Sequence, residues 1–271
     1  MEAAIGNGYA LGAFNVYNLE GVRAVVAAAE GEHSPAILQI NPSAFRHGGI
    51  PLVELCLAAA REACVPMAVH LDHSTSPDDI QAALDAGLTS IMADGSQLSY
   101  ADNVAFTREM VALTHEHGGI VEAELGRLAG TEDDLRVEEY EAKLTDPDQA
   151  TDFIAQTGID ALAVCIGNIH GRYRSEPRLD FDRLLAIRKA VSIPIVLHGA
   201  SGLPKGMVSR AIELGVCKLN VNTELRDAYL GALKDRLAAS PDLMGLMQGA
   251  VEAMKAVVRE KLQLFGSVGK A

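Results

Sequence analysis

The chain has 271 residues, enough for one large domain with a substantial buried core. Apolar residues make up 49% of it, yet no run approaches the roughly 18 uninterrupted apolar residues of a membrane-spanning helix. The net charge of −13 argues against nucleic acid or an anionic membrane as a partner, and the first residues have no features of a targeting signal. Four cysteines without a CxxC pair indicate reduced thiols, so we expect a cytoplasmic protein.

Short apolar runs alternate along the chain with segments in which apolar residues recur at helical spacing. The predicted strands are Leu11–Val16, Ala36–Asn41, Met67–Asp72, Ser90–Asp94, Ile120–Glu124, Ala161–Ile166, Pro194–His198 and Cys217–Asn222. The predicted helices are Val22–Ala29, Leu52–Ala63, Asp78–Ala86, Asn103–His117, Asp148–Gln156, Phe181–Ala190, Lys205–Leu214, one that starts at Glu224, and one over about Val251–Leu264.

Eight strand–helix units predict a single α/β domain, a TIM (β/α)8 barrel over residues 1–271. A doubly wound sheet would use fewer strands and show a GxGxxG motif after the first of them, and none occurs here. The segment before Leu11 is short, which leaves open that the chain is a module of a longer protein. The longest irregular segment, from Gly126 to about Lys143, follows the fifth strand and is a candidate lid.

Three histidines lie where apolar runs end: His73 in MAVHLDH, His170 in LAVCIGNIH and His198 in PIVLHG. Barrel enzymes carry their reacting groups at the carboxyl ends of the strands. A lone histidine is more often a hydrogen-bonded core or loop residue. Three imidazoles at three strand ends instead favour a transition-metal site with an open position, beside which Asp72 could move a proton.

Further polar residues extend this predicted site. Asp94 and Glu124 end two intervening strands, where they could accept hydrogen bonds from metal-bound imidazoles or could instead cap neighbouring helices. Small and hydroxyl residues in HGASG (198–202) and NVNTE (220–224) predict a phosphate site after the last two strands. His70 is expected to pack inside the barrel, and Lys218 to be structural or to line it.

Seven motifs occur in a familiar order: GAFNV, HLDH, MADGS, EAELGRLAGTEDD, GNIHGRY, LHGASG and KLNVNTEL. With them the chain resembles, over nearly its whole length, the class II, metal-dependent ketose-bisphosphate aldolases of the fructose- and tagatose-bisphosphate group. The resemblance implies that His73, His170 and His198 bind Zn²⁺. It also implies that Asp94 and Glu124 support the metal or bind it transiently.

The resemblance further implies reversible cleavage of a phosphorylated ketose to dihydroxyacetone phosphate and an aldehyde. Asp72 would transfer a proton, and Glu132, on the loop after EAELG, would exchange one at the nucleophilic carbon. The residues implied in holding the substrate phosphate are Gly171, Gly199, Ser201, Asn220 and Thr223. A monovalent cation, Na⁺ or K⁺, near the HG carbonyls and a homodimer or homotetramer are implied as well.

Substrate identity stays open at this point. Asn222 stands where fructose-type members usually carry Asp and tagatose-type members often carry Ala, and its position faces the substrate chain. No one of Lys255, Arg259 and Lys261 aligns with the contact to a second phosphate, so a singly phosphorylated keto sugar or keto acid is also compatible with the sequence. So are a non-catalytic, aldolase-like regulatory barrel, a different metal-assisted barrel enzyme, and a Schiff-base aldolase that would use Lys218.

Overall fold

The structure is a computed structural model that describes residues 1–132, 135–137, 142–173, 175–239 and 242–271, and side chains outside 131–141 and 238–241. Its strands are β1 Leu11–Asn15, β2 Ala36–Ile40, β3 Met67–Ser74, β4 Ser90–Ala93, β5 Ile120–Leu125, β6 Ala129–Glu132, β7 Leu135–Val137, β8 Ala161–Val164, β9 Ile169–His170, β10 Ile195–Leu197 and β11 Val216–Val221. Its helices are α1 Glu2–Asn7, α2 Leu19–Gly31, α3 Pro42–Glu62, α4 Pro77–Asp85, α5 Tyr100–Glu116, α6 Pro147–Thr157, α7 Phe181–Ala190, α8 Lys205–Glu213, α9 Thr223–Ala239 and α10 Leu243–Leu264.

Eight of these strands close into a parallel barrel in the order β1-β11-β10-β8-β5-β4-β3-β2. Each pair of neighbours is parallel, and helices connect successive strands around the outside. The predicted single TIM barrel is therefore confirmed. At the amino-terminal end of the strands, α1 packs against β11, and Met1 contacts the apolar side chains inside the barrel.

The barrel strands are buried on both faces, but the two faces differ in chemistry. Outward residues such as Leu38, Leu71 and Ile91 are fully buried in the apolar layer beneath the helices. The alternate residues point inward, as the two-residue period of a strand requires. They include polar groups such as Gln39 and Glu122 as well as a small apolar cluster around Met92. The barrel interior therefore depends on paired polar groups as well as on apolar packing.

Two predicted features need correction. The sixth predicted strand, Ala161–Ile166, ends at Val164, so His170 does not leave a barrel strand. It lies on β9, which pairs with β6 in a separate three-stranded sheet of order β7-β6-β9. The candidate lid segment is likewise not irregular throughout, because it contains β6 and β7. Backbone hydrogen bonds between Arg127 and Lys143 join its two ends.

The cysteines do not share one environment. Cys56, Cys165 and Cys217 are buried, Cys64 is exposed, and all four are free thiols. Burial raises the pKa of Cys165 and of Cys217 to about 11 and that of Cys56 to about 12, so these three thiols are poor nucleophiles at neutral pH.

Among the helices described, none has both the length and the apolar character needed to cross a bilayer.

The apolar layer gives a first testable prediction. Leu38→Ala should lower the free energy of unfolding by about 2–5 kcal/mol, because the residue is fully buried and its neighbours can only partly close the cavity. Urea denaturation followed by circular dichroism measures the change. The matched control is Leu230→Ala on α9, where the leucine is 54% exposed. Equal effects of the two substitutions would contradict the assignment of the core.

Candidate metal centre

A β-bulge in β3 brings two successive side chains to the carboxyl end of the barrel. Between Leu71 and Ser74, β3 has one residue more than the facing stretch of β4. His73 takes up the irregularity with a φ of 49°, an uncommon conformation for a residue other than glycine. In a regular strand, Asp72 and His73 would point to opposite faces. The bulge allows both of them to lie buried at one site.

Histidines from β3, β9 and the end of β10 converge there. The ring centroids of His73 and His198 are 4.6 Å apart, and those of His73 and His170 are 4.8 Å apart. Glu124 on β5 completes the cluster. Each of the four side chains offers one potential ligand atom, and these atoms all lie within 4.8 Å of one another. The set is His73, Glu124, His170 and His198.

The residues of this cluster fit a divalent metal ion. His73 Nε2, His198 Nδ1 and Glu124 Oε2 are buried and have no hydrogen-bond partner within the part of the chain that the structure describes. Polar atoms buried in this way are costly unless something binds them. Imidazole nitrogens and a carboxylate oxygen are ligands that Zn²⁺ accepts.

Two carboxylates orient the rings of His73 and His198 through the ring nitrogens that face away from the cluster. Asp94, which follows β4, accepts a 2.7 Å hydrogen bond from His73 Nδ1, so the Nε2 atom of His73 faces the cluster. Glu122 on β5 lies 2.8 Å from His198 Nε2, so the Nδ1 atom of His198 faces the cluster instead. Sequence reasoning placed Asp94 in such a supporting position but missed Glu122. The signal was available, because Glu122 is two residues before Glu124 and therefore on the same face of its strand.

Lys218 on β11, which the sequence predicts to be structural or to line the barrel, belongs to the same network. Its Nζ atom lies 2.8 Å from Glu122 Oε2, and both side chains are almost fully buried. Burial opposes the charge of Glu122, but Lys218 and His198 favour it more strongly and hold its pKa below the ordinary value. His70, which precedes Asp72 by two residues on β3, contacts Ser90 inside the barrel, and burial lowers its pKa to about 3.

Asp72 is held by two amides across the barrel. Asn15 on β1 donates to its Oδ2 atom at 2.9 Å, and Asn220 on β11 donates to its Oδ1 atom at 3.2 Å. Gln39 in turn donates to Asn15. Burial opposes ionisation of Asp72, but neighbouring imidazoles and Lys218 outweigh it, so its pKa lies below the ordinary value. Asp72 is thus a fixed, ionised carboxylate beside His73.

Glu124 has the opposite electrostatic setting. Burial raises its pKa to about 8, and the Asp94 carboxylate adds to this effect. Its Oε2 atom lies 3.5 Å from His198 Nδ1, too far for a strong hydrogen bond. A cation bound in the cluster would keep Glu124 charged at neutral pH.

Four of the five residues expected to hold phosphate lie on adjacent loops and at the start of α9, and the fifth, Asn220, lies on β11. Gly199 follows β10 and passes so close to β9 that a Cβ atom there would lie 2.0 Å from the Ile169 carbonyl oxygen. Ser201 is buried in the same loop, its Oγ atom accepts a hydrogen bond from the Glu224 amide at 3.5 Å, and Thr223 begins α9. Gly171 follows β9 with a φ of 85°. The helix amino terminus and the glycine loops can bind an anion together.

Asn222 lies in a polar chain across the top of β1 and β2. The Tyr17 hydroxyl donates to its Oδ1 atom at 2.9 Å and accepts a hydrogen bond from Asn41 at 3.0 Å. Asn222 is almost fully buried, so the tyrosine fixes the direction of its amide.

The cations near the carboxyl terminus each pair with an acid of this chain. Lys261 pairs with Glu224, and Arg259 lies 2.7 Å from Glu32, which precedes β2 on the side of the barrel away from the cluster. Lys255 lies 3.7 Å from Glu252 on its own helix. Glu132, expected to exchange a proton, ends β6 with its backbone, and its side chain lies outside the described residues.

Comparisons with known proteins agree with this architecture. The family model described as "Fructose-bisphosphate aldolase class-II" matches residues 1–270. The YdjI aldolase of Escherichia coli K12 is 38% identical, with a TM-score of 0.90 over 100% of this chain and 96% of that one. A proposed fructose-1,6-biphosphate aldolase of Coccidioides immitis is 36% identical, with a TM-score of 0.95 over 99% and 95%. Fructose-bisphosphate aldolase of Campylobacter jejuni, 21% identical with a TM-score of 0.83 over 100% and 94%, shares the fold.

The contact between Gly199 and β9 can be tested directly. Gly199→Ala should push β9 away, since the residue has a φ of 64° and a Cβ atom there would collide with backbone. We expect a loss of about 1–3 kcal/mol in the free energy of unfolding, together with faster hydrogen exchange of the β9 amides. Gly206→Ala, in open space on α8, is the control and should not destabilise the protein. Unchanged exchange in β9 would show that the close approach does not hold that strand.

Proposed function

Because the chain belongs to the class II fructose-bisphosphate aldolase family, we propose that it cleaves a phosphorylated ketose reversibly to dihydroxyacetone phosphate and an aldehyde with the help of Zn²⁺. Members of this family are aldolases, and so carbon–carbon lyases. The observation that carries the proposal is the cluster of three buried imidazoles and a carboxylate, in which His73 Nε2, His198 Nδ1 and Glu124 Oε2 have no hydrogen-bond partner among the described residues.

In this proposal, His73, His170 and His198 hold the metal, with Glu124 as an additional ligand. A bound Zn²⁺ would polarise the substrate carbonyl and stabilise the negative charge that develops as the carbon–carbon bond breaks. Asp94 accepts from His73 and so keeps one nitrogen of that ring directed at the cluster.

Asp72 is the proposed base for cleavage. Its carboxylate accepts the proton of the hydroxyl on the carbon that becomes the aldehyde, and the electron pair of the breaking bond moves towards the polarised carbonyl oxygen. The amides of Asn15 and Asn220 keep both carboxylate oxygens in position for that transfer. Glu132 is proposed to exchange a proton at the nucleophilic carbon, a role that rests on the family resemblance.

Substrate phosphate would bind to the glycine and hydroxyl loops around the start of α9, at Gly171, Gly199, Ser201, Asn220 and Thr223. Asn220 also donates to Asp72, so it would connect the phosphate end of the substrate to the base. Asn222 would face the remaining part of the ketose chain. The monovalent cation and the homodimer or homotetramer stay predictions.

A singly phosphorylated substrate is the second candidate. Lys255, Arg259 and Lys261 each pair with an acid of this chain, which disfavours the carboxyl-terminal contact expected for a second phosphate. A screen of mono- and bisphosphorylated ketoses, coupled to detection of dihydroxyacetone phosphate, separates the two candidates. A barrel with only a regulatory role would give no product with any of them.

Removal of the metal tests the reaction class. Dialysis against EDTA should abolish cleavage, and Zn²⁺ or Co²⁺ should restore it, because the polarising charge is lost and regained. Borohydride added with substrate should leave the enzyme active, since no Schiff base forms. Full activity in a preparation free of divalent metal, or inactivation by borohydride, would contradict the proposal.

Substitution at Asp72 separates the base from the ligands. Asp72→Asn should keep zinc stoichiometry but lower kcat by about 10²–10⁴-fold, the range typical of a lost general base, whereas His198→Ala should lose zinc. Steady-state kinetics and metal analysis measure the two effects. Asp85→Asn, an exposed substitution on α4, is the control. Wild-type kcat in Asp72→Asn would show that another group accepts the proton.

A further inference from the structure

We propose that Glu122 and Lys218 form a positioning pair that fixes His198 as the tautomer protonated on Nε2, so that its Nδ1 lone pair faces the metal cluster. The inference rests on the proposed function, since it concerns the presentation of one ligand to the metal. Neither residue contributes a ligand atom to the cluster. They act through His198, and are positioning residues and not catalytic ones.

The contacts run in one line through the barrel interior. Lys218 Nζ lies 2.8 Å from Glu122 Oε2, and the other carboxylate oxygen, Oε1, lies 2.8 Å from His198 Nε2. All three side chains are between 1% and 2% exposed. Water therefore does not compete for these hydrogen bonds, and each partner must satisfy the next.

The tautomer follows from the donors and acceptors in this line. An ionised carboxylate only accepts hydrogen bonds, so His198 must carry a proton on Nε2 to bond with Glu122. An ammonium group only donates hydrogen bonds. Lys218 donates to Oε2 of Glu122, which leaves Oε1 to accept from His198. The remaining nitrogen, Nδ1, is then an unprotonated ligand atom directed at the cluster, as metal binding requires.

This arrangement predicts an unusual result when the carboxylate becomes an amide. In Glu122→Gln, Lys218 can donate only to the amide oxygen, so the NH₂ group is left facing His198 Nε2. That NH₂ group is a donor, so it favours a proton on Nδ1, the nitrogen that should bind the metal. The single variant should therefore bind Zn²⁺ about 10–100-fold more weakly, the range typical of a lost supporting contact.

Removal of the lysine should recover part of the lost Zn²⁺ affinity. In Glu122→Gln/Lys218→Met, no ammonium group competes for the amide oxygen, so the amide can turn and accept from His198 Nε2. The double variant should bind Zn²⁺ more tightly than Glu122→Gln alone. A purely structural ion pair would give no such rescue, because the double variant has lost both of its partners.

Zinc affinity is measured on metal-free protein by competition with a chromophoric chelator, and the Co²⁺ absorption spectrum reports ligand geometry. Lys205→Met/Glu260→Gln removes an exposed pair of comparable 3.0 Å length and is the matched control. An affinity for Glu122→Gln within twofold of wild type, or a double variant that binds no more tightly than the single one, overturns the inference. Failure of the wild-type protein to bind Zn²⁺ would instead refute the proposed function.

A second measurement tests the inference even if Glu122→Gln does not fold. Nitrogen-15 spectra of histidine-labelled, metal-free wild-type protein distinguish the two imidazole tautomers. We expect His198, assigned by comparison with His198→Ala, to be protonated on Nε2. Protonation on Nδ1 overturns the inference without any variant of the pair.

Discussion

A charge that lies inside the barrel must find its partner there, because water cannot reach it. This constraint explains how the charged side chains inside the barrel are paired. Glu122 lies between Lys218 and His198, and Asp72 accepts from amides on two other strands. The cluster differs: one nitrogen each of His73 and His198 and one oxygen of Glu124 have no hydrogen-bond partner among the described residues. An interior that satisfies its other charges and leaves these together is suited to bind a cation.

The backbone brings the ligands together in two different ways. The closed barrel fixes His198 and Glu124, and the β3 bulge adds His73. His170 lies outside the barrel on β9, between Gly130 on β6 and Gly199 after β10. A Cβ atom added at either glycine would lie 2.0 Å from a carbonyl oxygen of β9. Since β6 also carries the backbone of Glu132, the sheet that supports the proposed proton-exchange residue also positions a proposed metal ligand.

The sequence predicts the barrel well because each strand is an apolar run closed by polar residues, a local pattern. It places His73 and His198 at strand ends for the same reason. It also places His170 at the end of the sixth barrel strand and misses β9, because a two-residue strand has no periodicity and β9 forms through its pairing with β6. The partnership of Glu122 with Lys218 was equally hidden. These residues are 96 positions apart, and they meet only through the register of a closed barrel, which local patterns do not encode.

The same ion pair also bears on the type of aldol chemistry that this barrel can support. A Schiff base requires a neutral lysine amine that can reach the substrate carbonyl. Lys218 is inside the barrel, but its Nζ atom lies 2.8 Å from the Glu122 carboxylate, and its side chain is 1% exposed. If Lys218 left this contact to attack a substrate carbonyl, Glu122 would keep an unpaired charge in a dry interior. The pairing that orients His198 therefore also disfavours Lys218 as a nucleophile, which leaves stabilisation of the developing negative charge to the cation that the cluster is proposed to hold.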